Sequence, residues 1–130
     1  MVIYQIPGLL PWNQERRRLA EIYFEELGGV SELRLPREAR GCRSVYHQFT
    51  IRTKRRDALR QHLEKNGIGT SIHYPRPIHL QQAYVGLGIE KGSFPEAEAA
   101  TEEVLSLPIY PELGEDDVRC VANEVRDFFA

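Results

Sequence analysis

Apolar residues recur along this chain with two periods, one helical and one strand-like, and the switches between them mark out the elements. The opening MVIYQIPGLLPW is too apolar for a free tail, since Val2, Ile3, Tyr4, Ile6, Leu9, Leu10 and Trp12 all need a surface to bury against. Asn13 is placed to cap a helix running to about Leu27, closed by Gly28-Gly29, with Leu19, Ile22, Tyr23 and Leu27 on one face. Glu32 to Leu35 is a weak strand, and a basic loop follows through Arg43. From Ser44 to Arg52 the period becomes two: Val45, His47, Phe49 and Ile51 alternate with Tyr46, Gln48, Thr50 and Arg52.

Thr53 can cap the next helix, which carries Asp57 in its first turn and Leu59/Leu63 at i,i+4. Asn66-Gly67 ends it with a left-handed residue, and Ile68 is set to fold back on the last turn. Gly69 to His73 reads as a short strand, and Pro75 and Pro77 make residues 74–79 a stiff loop, because proline lacks the ladder N–H. Ser93 and Glu96 form an S-x-x-E capping box with Pro95 in the first turn; Phe94, Ala97, Ala100, Thr101 and Val104 supply the packing face. Leu105 to Tyr110 is a strand-like exit. Glu115, Asp116 and Asp117 then start a last helix with Val118, Val121, Ala122, Val125, Phe128 and Phe129 on one stripe. Without a βαβ rhythm, the expected class is α+β: a small, mostly antiparallel sheet packed with helices in a single domain over residues 1–130. Residues 1–12 are the apolar lead-in and 13–130 the domain proper.

At 130 residues, 42% hydrophobic and 28% charged, the chain suits one globular domain with a real core. No apolar run approaches a membrane span, and the opening lacks a basic n-region and a cleavage site, so a soluble cytoplasmic protein is expected. Cys42 and Cys120 are expected as reduced thiols with at least one buried. Charge is lopsided: residues 1–76 hold 14 Lys/Arg against 8 Asp/Glu, whereas residues 77–130 hold 3 against 11. The basic half suits a diphosphate-bearing ligand, but the overall −2 argues against a dedicated nucleic-acid binder.

The densest chemistry is His73-Tyr74-Pro75-Arg76-Pro77-Ile78-His79-Leu80-Gln81. Arg76 is suited to fork onto a phosphate, and His79 and Gln81 to hydrogen-bond sugar hydroxyls; a purely structural role for His73 and Tyr74 is the competing reading. His-x5-His offers a metal two ligands with no third nearby, so no metal is expected. Lys54, Lys65 and Lys91 lie among charged or turn residues, none a setting that promises the burial a Schiff-base lysine needs, although Arg55 and Arg56 neighbour Lys54. With no Gly-rich phosphate cradle, nucleophile elbow or paired carboxylates either, the chain is not expected to catalyse a reaction unaided.

VYHQFTIR, RDALRQHLEKNGIGTSIHYPRPIHLQQAY, LG, FPEAE and LSLPIYPEL, in this order, resemble the C-terminal portion of the DegT/StrS sugar aminotransferases. The resemblance runs from about Trp12 to Phe129, and WNQERRRLAEIYFEEL fits the helix leading from the large domain into the small one. It implies the small domain of an aspartate-aminotransferase-like enzyme that uses pyridoxal phosphate to aminate nucleotide-linked keto-sugars. It also implies that the large domain, which supplies the cofactor lysine and most of the dimer interface, is the partner this chain lacks. His73, Tyr74 and His79 match the family's substrate-facing motif; Arg76 sits at a variable position, and Gln81 is a reading from its chemistry. His47 also matches a common family residue, and a structural role is expected for it. No cofactor is expected on this chain alone. The alternative is a stand-alone, non-catalytic module that binds a sugar nucleotide or another protein. Self-association through residues 2–12 is a further expectation.

Overall fold

The computed structural model describes residues 8–130. The expected burial of Val2, Ile3, Tyr4 and Ile6 lies outside the described residues, as does the greater part of the 2–12 stretch expected to self-associate; Leu9, Leu10 and Trp12 of that stretch are exposed, against the expectation that they bury. Helix α1 spans Leu9–Leu27, strand β1 Phe49–Arg52, helix α2 Arg56–Lys65, helix α3 Pro95–Glu103, strand β2 Val104–Leu107 and helix α4 Glu115–Phe129. Two 3-10 turns, Ile78–Leu80 and Gln82–Leu87, fill the connection between α2 and α3. The α+β class holds.

β1 and β2 pair antiparallel in the register Phe49↔Leu107, Thr50↔Ser106, Ile51↔Leu105 and Arg52↔Val104. Single antiparallel bridges extend the layer on both edges, Arg34 onto Arg52 and Ser71 onto Ser106. Alternation then sorts the faces. Phe49, Ile51, Leu105 and Leu107 point into the core with Leu19, Tyr23 and Leu27 of α1, Leu59 and Leu63 of α2, and Val118, Val121, Ala122 and Val125 of α4. Each fully buried aliphatic of this set contributes about 1.5–3 kcal/mol of transfer free energy. Thr50 and Ser106 are cross-strand partners on the other face, and so are Arg52 and Val104.

Several expectations need correction. α1 starts at Leu9, not after Asn13; Gly8 opens it at φ 87°, and Asn13 instead accepts a hydrogen bond from Arg16 at 2.6 Å. Pro11 fits there because its missing N–H falls among the helix's unpartnered first donors. The Ser44–Arg52 strand shrinks to four residues because Tyr46 sits at φ 44°, its N–H bonded to Ser44 Oγ and its hydroxyl to Glu38. That turn leaves Val45 and His47 exposed. Burial, and then the bond to Glu38, raise the Tyr46 phenol above its ordinary value.

α2 starts at Arg56, with Thr53 Oγ1 accepting the Arg55 N–H just ahead of it. The Ser93–Glu96 box does not form: Phe94 is the N-cap residue of α3, and Glu98 reaches back to the preceding N–H groups in its place. Cys42 and Cys120 are both exposed, against the expectation of a buried thiol. The end of α2 is as read: Gly67 at φ 76° donates to Glu64 O at 3.0 Å and Ile68 to Leu63 O at 2.9 Å, with Ile68 packed on the core.

Candidate functional site

The loop His73 to Gln81 leaves the sheet at the Ser71–Ser106 bridge, so β2 fixes where it begins. His73 is half-buried, and its Nδ1 lies 3.0 Å from Ser106 Oγ. Ser106 Oγ in turn lies 2.9 Å from Thr50 Oγ1 on the neighbouring strand. The His73–Tyr74 peptide is cis, and the two rings meet edge to face at 5.7 Å. Tyr74 is 71% exposed and Arg76 is exposed as well.

The turn that shortens β1 swings His47 toward His73. The two imidazoles, with Gln48, Thr70, Ser71 and Ser106, line a cleft of 170 Å³ at the end of the sheet. Hydroxyl, amide and imidazole groups set against the apolar edges of Leu107 and Ile109 are what a sugar ring needs. Sequence reading assigned His47 a structural role; its place beside His73 came from the Tyr46 turn, which alternation of side chains does not reveal.

The other loop residues are not brought into this cleft. His79 is 9% exposed, with Nε2 held by Glu98 at 2.9 Å and its ring edge-on to Phe94 at 4.9 Å. It lines a separate apolar cleft of 380 Å³ with Ile78, Tyr84, Leu87, Ile89 and Phe94. Gln81 is half-buried at the junction of the two 3-10 turns, its backbone bonding Ile78 and Tyr84. Burial in this corner raises the Glu98 carboxyl, but the hydrogen bonds from Gly92 N–H, His79 and Phe94 N–H outweigh it and hold the group below its ordinary range.

A wider groove, of 910 Å³, lies at the opposite end of β1, between the Leu33–Arg37 segment, the Arg52–Arg55 turn and α3. Its cations are partly neutralised, Arg52 by Glu103 at 2.9 Å and Arg55 by Glu32 at 3.7 Å. All three lysines are exposed. None stands in the dry surroundings that a Schiff-base amine requires, so the residues of this chain do not by themselves fit pyridoxal phosphate. Among the described residues no three His, Cys, Asp or Glu side chains are grouped to hold a metal ion, and no helix is long and apolar enough to cross a membrane.

Residues 1–126 match the DegT/DnrJ/EryC1/StrS aminotransferase family, and the chain belongs to that family. The match takes in the opening residues, which sequence reading had placed outside the resemblance. The chain is 44% identical over 117 residues to a dTDP-3-amino-3,4,6-trideoxy-alpha-D-glucose transaminase of Streptomyces venezuelae, covering 90% of this chain and 31% of that protein. It is 39% identical over 122 residues to a UDP-N-acetyl-3-dehydro-alpha-D-glucosamine 3-aminotransferase of Acidithiobacillus ferrooxidans, covering 94% of this chain and 32% of the relative. The crystal structure of S. venezuelae DesV in complex with a ketimine intermediate superposes with a TM-score of 0.91 at 44% identity, over 93% of this chain and 33% of that one. The chain therefore spans about a third of the length of the curated relatives it matches.

Proposed function

We propose that this chain is the C-terminal, sugar-contacting portion of a pyridoxal-phosphate-dependent aminotransferase that moves an amino group from an amino acid to a nucleotide-linked keto-sugar in the cytoplasm. Family membership and likeness to transaminases named for dTDP- and UDP-linked sugars support the reaction class. The polar cleft shared by His47 and His73 is the observation that carries the substrate role. In this reading His73 and Tyr74 meet the sugar, while the exposed guanidinium of Arg76 and the amide of Gln81 approach its diphosphate and hydroxyls from the same loop. His79 ties the far end of the loop to α3 through Glu98. The cofactor and its lysine belong to the two-thirds of the enzyme that the relatives have beyond this region, and this part orients the substrate beneath it.

Backbone amide shifts of the purified chain, followed by NMR during titration with a nucleotide-diphosphate sugar, test this. Saturable shifts centred on residues 47–48 and 70–76 are expected. Saturation at residues outside both the cleft and the loop, with these amides unmoved, would overturn the substrate role.

A further inference from the structure

Two hydroxyls stand behind His73. Thr50 and Ser106 are cross-strand partners joined by an ordinary sheet-face hydrogen bond, and here the pair continues into the imidazole of His73. Ser106 is only 6% exposed, in the middle of a layer whose neighbours on both sides pair with it: β1 through the ladder, and Ser71 through N–H···O bonds of 2.8 and 3.2 Å. Its backbone is thus held from both edges, and its Oγ lies 3.0 Å from Nδ1 of His73. Among the described residues Nε2 of His73 has no protein partner, so it is the nitrogen left to face the cleft.

We infer that Ser106, backed by Thr50, is the positioning residue that holds the His73 ring and sets what its Nε2 offers a ligand. Two proton arrangements satisfy the same three atoms. Thr50 O–H can donate to Ser106 and Ser106 O–H to Nδ1, which leaves Nε2–H as a donor. Alternatively Nδ1–H donates to Ser106 and Ser106 O–H to Thr50, which leaves Nε2 as an acceptor. Rotating two hydroxyls and moving one ring proton interconverts them with every heavy atom in place. The imidazole is therefore able to serve either a sugar hydroxyl or a carbonyl oxygen at one fixed position. This role rests on the reading of His73 as a substrate contact, but the geometry it asserts can be tested without any ligand.

Long-range ¹H–¹⁵N spectra of the ¹⁵N-histidine-labelled chain report tautomer and hydrogen bonding at each imidazole. Ser106→Ala is expected to move the His73 Nδ1 and Nε2 resonances while those of His62 and His79 stay in place; Thr50→Val is expected to move them less and in the same sense. Thr50→Ser, which keeps the hydroxyl, is expected to restore the wild-type pattern. A purely structural role would move all histidines together with the melting temperature. Unchanged His73 resonances in Ser106→Ala would overturn the inference, and if that variant does not fold, unchanged resonances in Thr50→Val would do the same. Nucleotide-diphosphate-sugar affinity is the second readout, with a loss of about fivefold expected in Ser106→Ala for one weakened hydrogen bond. Moved His73 resonances in a chain that binds no nucleotide sugar would uphold the positioning role and count against the proposed function alone.

Discussion

Glu98 accepts hydrogen bonds from Gly92 N–H at 2.8 and 3.0 Å, from Phe94 N–H at 3.4 Å and from His79 Nε2 at 2.9 Å. One carboxylate thus closes the start of α3 and clasps the Ile78–Leu80 turn to it. Desolvation alone would raise its pKa, and the bonds reverse that, leaving the folded value below the ordinary 4.5. The linkage then has a definite sign. A group whose folded pKa is depressed stabilises the fold above its ordinary pKa, and that contribution drains away as the pH falls through the folded value. Glu98→Gln should therefore lower the melting temperature at pH 7, and the gap to wild type should narrow as the pH falls below 4.5 and through the depressed folded value. Thermal melts of the two proteins across that range decide it; a gap of constant size would mean that the carboxylate charge contributes nothing.

Among the elements, the end of α2 makes the sharpest claim. Gly67 holds φ 76°, and a Cβ built on it would meet nothing within 4 Å. The cost of Gly67→Ala is then purely conformational, about 1 kcal/mol, and chemical denaturation should show it as a lower midpoint with an unchanged slope. This terminus was legible in the sequence because Asn-Gly followed by an apolar residue is a local code, satisfied within six residues. α4 was legible for the same kind of reason: three acidic residues lead a stripe of period 3.6, and Val118, Val121, Ala122 and Val125 are all buried. Features decided by remote partners were not legible. The Tyr46 turn depends on Glu38, eight residues earlier, and on the ring of Phe24 from α1. Glu98 displaced Glu96 as the cap because it also serves His79, 19 residues earlier. The His73 loop itself stood out by composition, while its partition into a polar cleft at one end and an apolar one at the other required the sheet register.

At the scale of the whole molecule, the lopsided charge is not consumed along the α1–α4 seam. Glu26 on α1 binds Arg126 on α4 at 2.7 Å and also pairs with Arg119, so an acid of the basic half meets two cations of the acidic half, and among these pairs Arg18–Glu115 alone runs with the asymmetry. Exposed pairs of this sort are each worth at most about 1 kcal/mol, so they select the docking of the two helices more than they stabilise it. The cations left over gather around the 910 Å³ groove, where Arg34, Arg37 and Lys54 are exposed. This is where an amine-reactive phosphate such as pyridoxal phosphate would be drawn electrostatically, yet the groove is open and its Lys54 side chain is exposed. Borohydride reduction of the chain after incubation with pyridoxal phosphate, followed by peptide mapping, separates attraction from binding. Adducts should spread over Lys54, Lys65 and Lys91 and rise with reagent concentration without saturating. A single lysine that saturates at low concentration would mean that this chain carries a cofactor site of its own, and the division of labour in the proposed function would have to be redrawn.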